Sequence, residues 1–325
     1  MRQKSCVHSI IALALVLLIS AAHAQEFPTR PIRIIVPTGP GGAPDVITRL
    51  LAQYMSSTLG KAVVVDNRPG GGGVVGVQEF LRSPADGYTL LMPDSSQWAV
   101  LPALRSELPY ETLRDFAPVG LVFTSTLFIV ALDTFSANNL GELITLARAN
   151  PGSLHIGSIG TSGLLSIFAA TFRASLGLDM TYVPYKGGAD LVAALLRGEV
   201  PVAVISTASI SPFVKSGKMR LLAAGSKVRA KFAPDVPTIA EAAGLPDFDF
   251  AGQMGMVTRS GTPQPIIDKL SAILNNASLQ PEVVSKAAAI GIDMTPTSPA
   301  QLADLMRNDL KKFAQAIKIS GIKVD

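Results

Sequence analysis

Residues 32–52 read IRIIVPTGPGGAPDVITRLLA. Ile32–Val36 is an apolar run rich in β-branched side chains, and Thr38–Gly42 is a glycine- and proline-rich turn. From Ala43 onward apolar residues recur at helical spacing: Val46, Ile47, Leu50, Leu51, Tyr54 and Met55 fall on one face. Strand, glycine turn and helix form the local unit of a sheet wound with helices. The free N–H groups and positive dipole end at such a helix start suit the turn to an anion.

The unit recurs. Ala62–Asp66 reads as a second strand, followed by NRPGGGGVVG, a helix running on through Val77–Leu81, and a strand at Tyr88–Met92. Further on, strand Leu154–Ser158 leads through IGTSG into a helix at Leu165–Leu176. Strand Met180–Pro184, the turn YKGG, helix Ala189–Arg197 and strand Val200–Ser206 follow. Each half reads βαβαβ, which builds a parallel sheet covered by helices on both faces with right-handed crossovers. Extended runs at Phe116–Phe123 and Leu127–Ala131 lie between the halves. Strand Arg220–Ala224, an extended run near Gly255–Thr258, and helices at Gln264–Leu274, Pro281–Ile290 and Pro299–Ile319 complete the chain. This order supports two α/β lobes joined by two crossings, closing a cleft like a hinge, with the last helices returning to the first lobe. One continuous sheet of about six strands is the competing arrangement.

The N-terminus reads as a secretory leader. Arg2 and Lys4 precede the apolar run Ile10–Ile19, and Ala22-His23-Ala24 has the small-residue pattern of a cleavage site, placing the cut after Ala24. Its removal takes away Cys6, the only cysteine, and two of the three histidines, and lowers the formal charge from +4 to +2. The mature chain then has no disulfide, no zinc site of Cys/His type and no long basic run for nucleic acid. Only His155 remains for a hydrolase triad, in a predicted strand and without a G-x-S-x-G turn, so it reads as structural. No pair of acids stands out for carboxylate catalysis.

Gly39, Gly41 and Gly42, with Asp66 at the end of the second strand, approach a dinucleotide fingerprint. The spacing differs from G-x-G-x-x-G, however, and Pro40 and Pro44 remove two backbone donors. Neither Gly60-Lys61 nor Gly217-Lys218 continues into a Walker motif. The second half offers a matching turn, Ser158–Gly163, with hydroxyls at Ser158, Thr161 and Ser162. Neither turn contains Lys or Arg, so a bound anion would rely on backbone and hydroxyl donors and water. Asp45 reads either as a first-turn residue favouring the helix dipole or as a ligand contact. Lys186 in YKGG reads as a solvated surface charge, and Arg68-Pro69 with its four glycines as a turn that positions the next helix.

A series of motifs in fixed order carries a family resemblance: FPTRPIRIIVP, GPGGAPDVITRLLA, VVVDNRPGGGG, DGYTLLM, LPYETLRDFAPVG, VPYKGGADLVAALLRGEV, VKSGKMRLLAAGS, DVPTIAEAAGLPDF and SGTPQPIIDKL. The chain resembles the Bug family, periplasmic substrate receptors of tripartite tricarboxylate transporters, over nearly all of its mature length. The resemblance implies an α/β fold of the periplasmic-binding-protein type II (Venus flytrap), two doubly wound lobes around a cleft, and a receptor with no catalysis, cofactor or metal. It implies a small carboxylate held by the two turns with bridging waters. Carried over by position, the contacts are Thr38, Gly39, Pro40, Gly41, Gly42 and Asp45 in the first lobe, and Ser158, Gly160, Thr161 and Ser162 in the second. By placement after the corresponding strands, Ser95 and Ser96, and Ser206 and Thr207, join them. The implied partners are a tripartite membrane permease or a sensor domain, with the receptor a periplasmic monomer. The implied division is residues 1–24 as leader, 25–126 with 250–325 as lobe 1, and 127–249 as lobe 2.

Some positions depart from the family pattern. Ser166-Ile167-Phe168-Ala169-Ala170 stands where H-L-A-x-E is usual, Gln253-Met254-Gly255 where W-x-G is common, and Thr38-Gly39 where Phe-Pro is frequent. An acid often found near Ser206 is absent. These departures bear on the ligand rather than the fold. Two alternatives remain open at this point: an exported nucleotide-dependent enzyme using the glycine-rich turn, and a ligand-free interaction module.

Overall fold

The computed structural model describes residues 27–161 and 163–322. The expected leader at 1–24 and the candidate residue Ser162 lie outside the described residues. The first unit comprises β1 (Ile32–Val36), α1 (Ala43–Leu59), β2 (Val63–Asn67), α2 (Val74–Leu81) and β3 (Thr89–Leu91). A π-helical turn at Ser96–Val100 and two short helices, α3 (Leu101–Leu104) and α4 (Thr112–Asp115), lead to β4 (Phe116–Ser125) and β5 (Leu127–Leu132). Then come α5 (Leu140–Ala149), β6 (Leu154–Ile159), α6 (Leu164–Leu176), β7 (Met180–Tyr185), α7 (Gly188–Leu196), β8 (Val202–Ser206), α8 (Thr207–Lys215) and β9 (Met219–Ala224). The chain ends with α9 (Ile239–Ala243), β10 (Gly252–Arg259), α10 (Gln264–Ser278), α11 (Pro281–Ala289), β11 (Ile292–Met294) and α12 (Pro299–Ser320).

The strands form two sheets, not one: a six-stranded sheet in the order β11-β4-β10-β3-β1-β2 and a five-stranded sheet in the order β7-β6-β8-β5-β9. The expected βαβαβ units supply the parallel trios β2-β1-β3 and β7-β6-β8, with the first strand central in both. The sheets are mixed rather than wholly parallel, because β10 runs antiparallel to β3 and β4, and β5 antiparallel to β8 and β9. The reason lies in the crossings. β4 leaves the first sheet at the end where β10 enters it, so the two lie side by side in opposite directions. β5 follows β4 after Thr126 alone and enters the second sheet antiparallel to β8 and β9.

Both faces of β1 are buried except at the half-buried Arg33, which pairs with Asp66 and Glu79. Ile32, Ile34 and Val36 pack with Ile47, Leu51 and Met55 of α1 and Leu270 and Leu274 of α10. Ile35 packs on the opposite side, in the cluster that holds Val77 and Phe80 of α2 and Met306 of α12. A central parallel strand favours such a run, interrupted here only by Arg33, and each fully buried Ile or Leu contributes about 1.5–3 kcal/mol. The apolar stripe of α1 is narrower than expected: Ile47, Leu51 and Met55 are buried, whereas Val46 is 40% exposed.

The last helix does more than return to the first lobe. α12 has 22 residues, about 33 Å at the usual rise. Leu302 and Met306 sit in the same cluster as Leu121 of β4, while Phe313, Ala316 and Ile317 sit with Phe168 and Phe172 of α6. Phe313 meets Phe250 edge-on at 5.7 Å, and Phe250 meets Phe168 at 5.4 Å. The Thr171 hydroxyl donates to the Ala316 carbonyl at 3.3 Å. α12 therefore straps both sheets, because its apolar stripe outruns the width of one.

Candidate functional site

Ligands of open α/β sheets bind beyond the carboxyl ends of the strands. Here α1, α6, α7 and α8 all begin at such ends, after β1, β6, β7 and β8. Their N-caps are Gly42, Gly163, Gly187 and Ser206, and none makes a side-chain cap hydrogen bond. By contrast α5, α9 and α12 are capped by the side chains of Asn139, Thr238 and Ser298. The helices at the strand ends thus keep their first N–H groups free of side-chain caps, and those donors are available to a ligand.

In the first turn, Pro40, Gly41 and Gly42 are exposed and Thr38 and Gly39 half-buried. A Cβ built on Gly39 or Gly41 would meet no atom within 4 Å, so the turn borders open space. Gly41, with φ +83°, donates its N–H to Asp45 Oδ2 at 2.9 Å. Asp45 also pairs with Arg49 at 2.9 Å, Arg49 donates to Asn67 Oδ1 at 2.9 Å, and Asn67 donates to the Thr38 carbonyl at 3.2 Å. Burial raises the Asp45 carboxyl, but hydrogen bonds from Arg49, Gly41 and Asn67 outweigh it and hold the group below the usual carboxylate range. Asp45 therefore braces the turn from behind, and the Gly41 N–H is already committed to it.

The turn after β3 holds Ser95, fully buried, and Ser96, half-buried. Sequence reasoning missed its frame. Ser96 N–H donates to Asp94 Oδ1 at 2.7 Å, and Asp94 N–H donates to Gln97 Oε1 at 2.8 Å, a reciprocal capping arrangement. The pattern Asp94-Ser95-Ser96-Gln97 carried that signal. Burial pushes the Asp94 carboxyl upward, offset in part by the hydrogen bonds from Ser96 and Gln97. Gln97 Nε2 donates to the Gly72 carbonyl at 2.9 Å, and a Cβ on Gly73 would lie 2.6 Å from that nitrogen. The glycine run thus lets the Gln97 side chain clamp the site turn to the start of α2.

In the second turn Ser158 is fully buried, Gly160 half-buried and Thr161 exposed. Gly160 N–H donates to the Tyr185 carbonyl at 2.9 Å, and its own carbonyl accepts from the Tyr182 hydroxyl. Again the space beside Gly160 and Gly163 is open. Ser206 is half-buried at the start of α8. Thr207 is buried and gives both its N–H and its hydroxyl to the Thr126 carbonyl, at 3.2 and 2.9 Å. It pins α8 to the first crossing. Lys186 and His155 are exposed.

Several buried side-chain atoms at these strand ends have no hydrogen-bond partner: Thr38 Oγ1, Ser95 Oγ, Ser158 Oγ, Ser125 Oγ and Gln253 Oε1. Ser125 closes β4 and Gln253 is the second residue of β10; neither was foreseen as a site residue. Such groups are costly unless a ligand or water pairs them. Asp66, the acid that a dinucleotide ribose would need, is already engaged by Arg33 at 2.8 Å and by Arg68 at 3.0 Å. Its carboxyl feels burial upward, but those arginines hold it down. No helix among the described residues is long and apolar enough to cross a membrane.

Residues 47–322 match the family model described as the tripartite tricarboxylate transporter family receptor. The UPF0065 protein in the tcbD-tcbE intergenic region of Pseudomonas sp. (strain P51) is 34% identical, over 95% of this chain and 92% of its own length. Protein BugT of Bordetella pertussis is 33% identical over 93% of this chain and 92% of its own. An R. palustris protein solved with adipate superposes with a TM-score of 0.81 at 26% identity, covering 92% of this chain and 99% of that one. MatC of Rhodopseudomonas palustris, solved with bound malate, superposes at 0.77 with 27% identity, covering 90% and 100%. The chain belongs to the tripartite tricarboxylate transporter receptor family.

Proposed function

We propose that this chain captures a small carboxylate in the periplasm between two lobes and presents it to a tripartite membrane permease, acting as a monomer. The lobes comprise residues 25–126 with 250–325, and 127–249. The observation that carries this reading is the pair of fully buried, unpartnered hydroxyls, Ser95 in the first lobe and Ser158 in the second, each at the carboxyl end of a sheet strand. The ligand set is Thr38, Gly39, Pro40, Gly41, Gly42, Ser95, Ser96, Ser158, Gly160, Thr161, Ser162 and Ser206, with Asp45 and Thr207 bracing it. No cation is needed: hydrogen bonds to a charged group are worth about 1.5–3 kcal/mol each, so a few of them approach the roughly 8 kcal/mol of micromolar binding before ordering costs. Adipate and malate in the relatives' structures support the ligand class.

The test is thermal shift on refolded, ligand-stripped protein with a panel of mono- and dicarboxylates that includes malate and adipate. Ligand at about 100 times Kd adds about 2.7 kcal/mol, a rise of roughly 5 °C or more. Gly39→Asp has room for its side chain. It should melt like the parent without ligand and lose affinity at least about tenfold by like-charge repulsion. Stabilisation by a dinucleotide and by no organic acid would overturn the reading.

A further inference from the structure

The edge strand β11 brings the first sheet against the second beside the first crossing. β11 pairs antiparallel with β4, and Ile292 faces Ser125. Continued by one residue, that register sets Gly291 level with Thr126, the single residue between β4 and β5. In the second sheet Leu127 faces Ser206 of β8, and Thr207 follows as the first residue of α8. Thr207 ties α8 to the Thr126 carbonyl through its N–H and its hydroxyl. Its methyl has a different neighbour. A Cβ built on Gly291 would lie 2.7 Å from Thr207 Cβ, closer still to the Cγ2 methyl, and 3.6 Å from Phe232 Cδ2. Phe232 belongs to the second sheet's own cluster, with Phe128 and Val130 of β5.

The Thr207 methyl therefore fills the space that a side chain at 291 would take. Gly291 also has a φ of +71°, which glycine adopts without steric cost. The fit is looser on the neighbouring crossing, where a Cβ on Gly252 would meet Leu164 Cδ2 at an ordinary 3.8 Å. Two crossings alone leave the sheets free to turn about them as a hinge. A close-packed contact beside them has little slack, so it fixes how near the start of α8 comes to the first sheet. Ser206, a proposed ligand contact, is the residue before Thr207, and its distance from the turns of the first sheet is set by the same contact. We propose that Gly291 and Thr207 are positioning residues of this receptor: the methyl seated on bare backbone sets the gap between the jaws, and with it the affinity for a ligand that neither residue touches. This rests on the two-lobed receptor reading above.

A double-mutant cycle on ligand-stripped protein tests this, with malate, succinate, glutarate and adipate titrated and the tightest binder reporting affinity. Gly291→Ala sets a methyl against that of Thr207. Thr207→Ser removes the second methyl and keeps the hydroxyl for Thr126; Thr207→Val keeps the methyl. Gly291→Ala alone should weaken binding at least about tenfold, within the coupling seen between touching residues. In the Thr207→Ser background the same change should cost about twofold or less, the scatter of independent sites. In the Thr207→Val background the full loss should persist. The strain of alanine at a positive φ is common to every background and to both ligand states, so it cancels. If Gly291→Ala alone does not fold, the serine and valine backgrounds carry the comparison. A second readout needs no ligand: spin labels on Val64→Cys of β2 and Leu196→Cys of α7, both exposed, report the distance between the sheets. Gly291→Ala should displace that distance, and Thr207→Ser should restore it. Undiminished affinity in Gly291→Ala, an equal loss in the threonine and serine backgrounds, or rescue by valine overturns the positioning role while leaving the carboxylate receptor standing. Failure of every acid to bind overturns the carboxylate reading, and the label distance then decides the jaw contact alone.

Discussion

Lys312 offers the sharpest test of how the two sheets are held together. Its ammonium lies 2.9 Å from Asp309 Oδ1 on the same helix and 3.3 Å from Asp249 Oδ2, at the entry to the second crossing. Asp309 is 1% exposed and also accepts from Trp98 Nε1 at 2.9 Å. The chain Trp98–Asp309–Lys312–Asp249 thus runs from the turn that carries Ser95 and Ser96, through α12, to the hinge. Lys312→Met keeps the aliphatic stem and removes the charge. Removing one partner of a buried pair costs about 3–5 kcal/mol. The Lys312 side chain is 25% exposed and Trp98 still donates to Asp309, so a discounted loss of about 2–3 kcal/mol is expected. Urea unfolding at constant m-value should report it. The pH dependence has a definite sign. Burial lowers the Lys312 pKa, but the charges of Asp309 and Asp249 outweigh it and hold it above the ordinary value. Its stabilisation is therefore fully present below the unfolded lysine pKa of about 10.4 and is lost as pH rises through the folded value. The gap between parent and variant should be level from neutral pH to about pH 10 and narrow beyond it. A variant as stable as the parent, or a gap that never narrows, would refute the ion-pair strap.

Two further changes probe the braces of the site. Gly73→Ala places a Cβ 2.6 Å from Gln97 Nε2 at a φ of +101°; a loss of about 1–3 kcal/mol is expected, with weaker ligand binding as the Ser95–Ser96 turn shifts, read by melting and titration. Asp45→Asn should cost about 1–2 kcal/mol at neutral pH. Because the folded Asp45 pKa is depressed, that contribution is present above the unfolded value near about 3.9 and lost as pH falls through the folded one, so the two proteins should converge in acid.

Much of the fold was legible because its signals are local. β1 shows its apolar run, and the glycine before α1 and before α6 marks a strand passing into a helix. What escaped lacked a local signal or hid it. β11 is a three-residue edge strand whose partner, β4, lies far back in the sequence. α8 begins with Thr, Ala and Ser and contains Pro212, all poor helix advertisements except Ala. α5 was missed although Asn139 and Glu142 form a recognisable start. The glycine run before α2 was legible as a turn, but its clamp partner Gln97 was not, because that contact spans two turns of the sheet edge. Ser125 and Gln253 take their places only through the pairing of β4 with β10. Their importance is the absence of partners, which only packing reveals.

The glycine caps of the helices at the strand ends carry a consequence for stability. α5, α9 and α12 have Asn, Thr and Ser caps whose side chains take a first-turn N–H, whereas α1, α6 and α7 start on glycine. A glycine cap gives up only a few tenths of a kcal/mol against serine, a small loss that leaves the donors open to a carboxylate. Gly42→Ser reverses the trade. Gly42 has φ −77° and ψ 168°, the extended geometry of a serine cap, and its Cβ would meet only Pro44 Cδ at 3.7 Å. Pro44 has no N–H, so the new hydroxyl would take the N–H of Asp45. The ligand-free protein should gain about 0.3 kcal/mol, near 1 °C in melting temperature. Its ligand-induced shift should shrink, because the strongest donor of the first turn is then internally paired. A gain in stability with undiminished binding would show that the ligand does not use the start of α1.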